Sequence, residues 1–176
     1  GALSAFDKAI ALDARHVDAH IGRSTVLLGL SRGAEVDQEL ALLAAWKAIE
    51  PRASYLRAAR SAQKGDAVSA RTAFAEAAGM IDAMPAALRI ASEPLLMVGA
   101  LCHRELGNPS KAREYLEALL TRNGRHVGAQ MLLASILVET GDHARATVWL
   151  DSLQRLSPEH PQVLFLYGSI HLARKQ

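Results

Sequence analysis

Apolar residues along the chain recur at alternating spacings of four and three. The triplets are Ala2, Phe6, Ala9; Ala70, Phe74, Ala77; Ala112, Leu116, Leu119; and Ala146, Leu150, Leu153. That spacing places each triplet on one face of an α-helix and is incompatible with the two-residue alternation of a half-buried strand. Gly65-Asp66, Gly107-Asn108 and Gly141-Asp142 punctuate the pattern just before three of the triplets, as helix stops followed by helix starts. Ten helices follow, near 2–12, 17–30, 35–49, 52–64, 67–82, 94–106, 109–121, 127–140, 143–156 and 161–174, with no strands. The fold class expected is all-α.

The pattern also repeats at a longer range. Gly107-Asn108, Ala112, Leu116, Leu119 and His126 return 34 positions later as Gly141-Asp142, Ala146, Leu150, Leu153 and His160, and Ala100 returns as Ala134 and Gly168. Each unit of this length pairs two helices, and a single pair cannot bury its apolar face alone, so stacked pairs are required. The register gives repeats at 17–50, 51–84, 93–126 and 127–160, an insert at 85–92, a closing half repeat at 1–16 and an opening half repeat at 161–176. The whole reads as one array, 1–176, cut within repeats at both ends. In the first full repeat the turn reads Ser31-Arg32-Gly33, which predicts a longer turn and a second helix shifted to 35–49. The insert either extends the preceding helix or forms a separate turn, with Ser92 as the cap before Glu93 and Pro94.

Small residues at position 8, a Gly-Asp-type turn at 15 and 16, Ala at 20, a bulky residue at 24 and Pro158 at 32 of the 127–160 repeat resemble the tetratricopeptide-repeat family across nearly the full chain. The match is uneven. Gly124 stands where the 93–126 repeat would carry its proline, and the 51–84 repeat lacks one. The resemblance implies a right-handed superhelical solenoid of antiparallel helix pairs whose first helices line a concave groove for a partner protein or peptide. It places positions 2, 5, 9, 12 and 13 of each first helix in that groove. Position 5 is occupied by Ile21, Tyr55, Met97, Met131 and Phe165, one large apolar side chain per repeat, and these are the candidate partner-binding residues. Arg104 and Glu139 join them as polar rim positions, beside Arg52, Gln63, Glu105 and Gln162. The competing reading puts the position-5 side chains in the core between repeats, and the residues alone leave both open.

Family members that grip a terminal carboxylate carry Lys at position 5 and Asn at position 9. Here those pairs read Ile21 and Thr25, Tyr55 and Ala59, Met97 and Leu101, Met131 and Ser135, so that clamp is absent. Three shorter strings, Tyr55-Leu-Arg-Ala, Leu132-Leu-Ala-Ser-Ile-Leu and Pro161-Gln-Val-Leu-Phe-Leu-Tyr-Gly, resemble the large repeat lipoproteins of bacterial exopolysaccharide and exosortase gene clusters. That resemblance implies a role in polysaccharide assembly or export and a periplasmic or outer-membrane-anchored setting; without it a cytoplasmic one is expected.

Composition narrows the remaining chemistry. Half the residues are apolar and only 5% aromatic, which suits stacked helices. The 20 basic and 18 acidic residues leave a formal charge of +2 with no long run of either sign. The basic clusters Arg122, Arg125, His126 and Arg57, Arg60, Lys64 have no interleaved aromatics on which bases could stack, so no nucleic acid is expected. No apolar run approaches a membrane span, and direct membrane insertion is not expected. Gly1-Ala2 leads straight into a helix pattern, so the natural amino terminus, with any targeting sequence, is expected upstream.

Cys102 is the only cysteine, and its apolar surroundings suit an inert buried thiol. Of seven histidines, His16, His126 and His160 share position 34. Equivalent atoms of adjacent repeats lie about one helix spacing, ~8–10 Å, apart, too far for a shared metal. His103 and His171 share position 11, where a core histidine is expected. No catalytic motif, cofactor loop or metal-ligand spacing is present. The function expected is a non-catalytic interaction scaffold. The alternatives are a spacer in a longer array, with self-association through exposed repeat ends, and a regulatory arm of an enzyme whose catalytic domain lies elsewhere.

Overall fold

The computed structural model describes residues 1–47 and 49–173. Among them are eleven helices and no strand: α1 (Ala2–Leu12), α2 (Val17–Gly29), α3 (Gly33–Ala45), α4 (Pro51–Gln63), α5 (Ala67–Asp82), α6 (Ala86–Ala91), α7 (Glu93–Glu105), α8 (Pro109–Arg122), α9 (Val127–Glu139), α10 (His143–Leu156) and α11 (Pro161–Ala173). The ten helices expected become eleven because the insert forms its own short helix, α6. Ser92 ends it and caps α7, its hydroxyl accepting from the Leu95 amide at 3.4 Å. Residue 174, where the last expected helix ends, lies outside the described residues, as do 175 and 176 and, within the helix expected over 35–49, residue 48.

The chain divides into two compact units, Gly1–Met84 and Pro85–Gln176. In the first, α2 packs on α1, α3 and α4, and α4 on α5; in the second, α7 packs on α8, α8 on α9, and α9 on both α10 and α11. Both units are built of antiparallel helix pairs. Small residues at the helix crossings allow the close approach: Ser24, Ala58, Ala100 and Ala134 on first helices are buried, as are Ala70, Ala112 and Ala146 on second helices. Phe74, Leu116 and Leu150 fill the space one turn further on and are likewise buried.

The turns within pairs share one geometry. Gly65, Gly107 and Gly141 take φ near +80°, and the amide of the following residue returns to a carbonyl in the last turn of the helix: Asp66 to Ser61, Asn108 to His103, Asp142 to Leu137. The first pair corrects the sequence expectation. Its turn is no longer than the others, because Ser31 itself adopts φ +58° and Arg32 N–H donates to the Leu27 carbonyl at 3.0 Å. Helix α3 therefore begins at Gly33, in register, and it is at the other end that it stops short, at Ala45.

Gly33 has a different task from the one its place in the sequence suggests. A Cβ there would lie 2.3 Å from the guanidinium carbon of Arg60, which crosses from α4 to donate to Asp37 at 3.0 and 3.1 Å. Ser31 bears the conformational cost that glycine avoids in the other three turns. Replacing it should help: Ser31→Gly is expected to stabilise the chain by about 0.5–1 kcal/mol, read as a higher urea midpoint at unchanged slope.

Candidate functional site

The helices that would present a partner surface are the first members of each pair, α2 and α4 in one unit and α7, α9 and α11 in the other. Their starts are set by side-chain caps. His16 and His126 accept the amides of Ala19 and Ala129 through Nδ1, at 3.3 and 3.1 Å, and His160 Nδ1 accepts from Gln162 at 3.3 Å. The three histidines at position 34 thus hold down orphan amides at helix starts. Among the described residues no cluster of histidine, cysteine and acidic side chains could hold a metal.

In the first unit the position-5 residues are drawn inward. Ile21 is 5% exposed and belongs to the core with Leu27, Val36, Leu40 and Leu43. Tyr55 is half-buried, packed on that cluster with its ring 6.0 Å from that of Phe74. The rim position Arg52 is engaged: it donates to Glu50 at 2.9 and 2.8 Å and to Asp18 at 2.6 Å. Burial pushes the Glu50 carboxyl up, but the Arg52 guanidinium and backbone amide outweigh it and hold Glu50 below its usual range. Gln63 donates to the Leu28 carbonyl at 3.3 Å, tying α4 to α2.

The second unit leaves more of the row open. Met131 is 9% exposed, Met97 is half-buried, and Phe165 is 70% exposed. The Met97 methyl lies over Gly128 at the start of α9, where an added Cβ would meet it at 3.3 Å. At the other end of the same helices, Arg104 donates to Glu139 Oε1 at 3.1 Å, and the Ser135 hydroxyl donates to the same oxygen at 2.9 Å. The result is a partly apolar, partly charged surface carried by rigid helices. The seven predicted residues divide accordingly, with Ile21 and Met131 in packed surroundings and Phe165, Arg104 and Glu139 reaching solvent.

Other chemistry predicted from the sequence finds a structural role. Cys102 is fully buried, and burial, with Glu105 nearby, pushes its thiol up to about 12, far from a nucleophile's range. His103 is buried and stacked on Tyr115 at 5.6 Å, whereas His171 at the same repeat position is exposed because, among the described residues, no helix covers that side of α11.

One polar constellation has no counterpart among the sequence expectations. His20 and Glu39 are both buried, with Nδ1 hydrogen-bonded to Glu39 Oε2 at 2.5 Å and Nε2 facing the Ala14 carbonyl at 3.2 Å. Arg23 donates to the second Glu39 oxygen and, at 2.8 Å, to Asp7 on α1. Trp46 sets its ring edge-on to His20 at 4.9 Å. The network joins α1, α2 and α3. Its members lie too far apart in sequence to be associated without the pairing of α2 with α3.

Residues 100–161 match the tetratricopeptide repeat family model. No curated protein matches the sequence. Among solved structures, a tetratricopeptide-repeat protein from the thermophile Thermus thermophilus is similar at TM-score 0.63 and 16% identity, over 97% of this chain and 89% of that one. The Pseudomonas aeruginosa PilF protein gives TM-score 0.59 and 18% identity, over 92% and 70%. YrrB, described as a tetratricopeptide-repeat protein with an unusual peptide-binding site, gives 0.59 and 17%, over 99% and 86%. Helix pairs, turn geometry and small-residue crossings therefore agree with these likenesses: residues 100–161 carry tetratricopeptide repeats, and the chain has the all-α fold of solved tetratricopeptide-repeat proteins.

Proposed function

We propose that the chain is a non-catalytic scaffold that binds a segment of a partner protein or peptide on its first-helix face. The observation that supports this is the open part of the position-5 row in the second unit. Met97 and Phe165 keep apolar surface on α7 and α11, and the Arg104–Glu139 pair supplies charge at the far ends of α7 and α9. Large side chains held on rigid helices lose little freedom on binding and serve as anchors, while a charged rim selects the partner's polar groups. The peptide-binding site for which YrrB is described supports the same use of a similar fold. The exopolysaccharide setting gains no support from the comparisons, and the proposal is confined to the binding role.

Peptides selected from a displayed random library against the chain, then measured by fluorescence polarisation, test the reading. Met97→Asp and Phe165→Asp are expected to weaken selected peptides about tenfold or more each, equivalent to roughly 1.4 kcal/mol, with unchanged helical circular dichroism. Leu88→Asp, on the exposed side of α6, is expected to change nothing. Equal binding by all three variants refutes the proposal. Ile21 and Met131 are unsuitable for this test because a charge in their buried places acts on folding first.

A further inference from the structure

We propose that a cleft in the first unit, walled by α3, α4 and α5, binds a small aliphatic carboxylate, an apolar body carrying one negative charge. The cleft shares no residue with the position-5 row, so the inference is independent of whether the first-helix face binds peptides.

The cleft holds about 300 Å³, the lower end of the range for small-molecule sites. Leu40 and Leu43 of α3, Ala53 of α4 and Met80 of α5 form its apolar walls. The repeat register explains why it is open. Ala44 stands at position 28 of its repeat and Ser54 at position 4 of the next. The same two positions hold Ile10 and His20 one junction earlier, and Leu120 and Gln130 in the second unit. Leu120 and Gln130 are buried, so larger side chains occupy there the space that Ala44 and Ser54 leave.

The polar groups at the cleft also depart from the register. Arg57 at position 7 and Glu76 at position 26 stand where the second unit has Leu133, which is buried, and Ser152. Ser54 is 3% exposed, and its oxygen accepts from Arg57 Nη2 at 2.8 Å; among the described residues its own proton has no acceptor. Arg57 makes its contacts through Nη2, to Ser54 and to both Glu76 oxygens at 2.9 Å, which leaves the hydrogens of Nε and Nη1 for a ligand. At the mouth, Lys47 has no ion-pair partner among the described residues. It takes φ +52°, where Asn123 and Ser157 at the same repeat position have φ −133° and −148°.

A hydroxyl, a guanidinium edge and an ammonium group thus line an apolar cleft as donors, and they suit an acceptor that bears negative charge. Glu50 and Glu76 limit that charge to one. Each is bonded to an arginine, Glu50 to Arg52 and Glu76 to Arg57, so Lys47 is the cation left over in the lining. A phosphate dianion would meet two carboxylates with a single surplus cation, whereas a monocarboxylate matches it. The Arg57–Glu76 pair is about half exposed, and such pairs contribute so little that a ligand carboxylate can compete for the guanidinium. The walls choose the body: no aromatic ring among the described residues lines the cleft, and the flexible Met80 thioether adapts to an aliphatic chain.

Isothermal titration calorimetry of the chain with octanoate, kept below its micelle concentration, tests the proposal. Wild type is expected to bind one octanoate with a dissociation constant below about 1 mM, and octanol at least about tenfold more weakly. Ala44→Leu restores the residue found at position 28 in the second unit and substitutes an exposed side chain, and Arg57→Leu removes the guanidinium. Each is expected to weaken octanoate about tenfold or more, with unchanged helical circular dichroism. Absence of binding at millimolar octanoate overturns the proposal. So does octanol that binds as tightly as octanoate, equal binding by both variants and wild type, or a peptide ending in leucine that binds where octanoate does not. If Ala44→Leu fails to fold, Arg57→Leu and the octanol comparison decide the matter.

Discussion

Replacing Glu39 by alanine is expected to destabilise the first unit by about 3–5 kcal/mol, the usual cost of removing one partner from a buried ionic cluster. The carboxylate is the hub of the network: one oxygen receives His20, the other Arg23, and Arg23 carries the connection to Asp7 on α1. Without it, a buried imidazole and part of a guanidinium lose their acceptor in a place that water reaches poorly. Glu39→Gln keeps the volume and one carbonyl acceptor and is expected to lose distinctly less. Urea denaturation followed by tryptophan fluorescence checks both, since Trp46 rests edge-on against His20 and reports this region directly. A loss below about 1 kcal/mol for the alanine variant would mean that the cluster is solvated and contributes little.

The second large effect is expected in the other unit. Leu116→Ala removes a fully buried side chain from the crossing of α7 and α8, beside Ala112 and Leu119, and should cost about 2–5 kcal/mol through lost apolar burial and the cavity left behind. Val148→Ala on α10 is a matched comparison. Val148 is largely exposed, so its loss should stay within about 0.5 kcal/mol. Denaturant midpoints at constant slope would separate the two, and equal losses would contradict the assignment of Leu116 to the core.

These two sites differ in how visible they are from the amino-acid sequence. Leu116 announces itself, because its spacing from Ala112 and Leu119 is a helical face and its recurrence as Leu150 marks a repeated core position. The glycine turns at 65, 107 and 141 are equally plain, since a glycine followed by Asp or Asn between two helical patterns has few other uses. Glu39 and His20 give no such signal. Each is an ordinary polar residue on its own helix, and only the side-by-side packing of α2 and α3 brings them together.

The candidate surface was legible in outline and not in detail. That Ile21, Tyr55, Met97, Met131 and Phe165 share a register position follows from the repeat, but burial depends on what lies beside each one. Ile21 is enclosed by α3 and α4 residues, whereas Phe165 on α11 has no further helix beside it among the described residues. Likewise Ser31 disguised its turn: serine is an uncommon occupant of a left-handed position, so Gly33 two residues later looked like the stop.

The place that Gly33 leaves for Arg60 bears on how this sequence can change over time. A side chain at 33 and a guanidinium at 60 compete for the same volume, and Asp37 is left with Lys64 as its remaining partner if Arg60 withdraws. The guanidinium is the far end of a flexible side chain and can move aside, so a larger residue at 33 costs chiefly the Arg60–Asp37 contact. Positions 33 and 60 are therefore expected to covary among orthologues, glycine accompanying arginine and a larger residue at 33 accompanying a shorter one at 60.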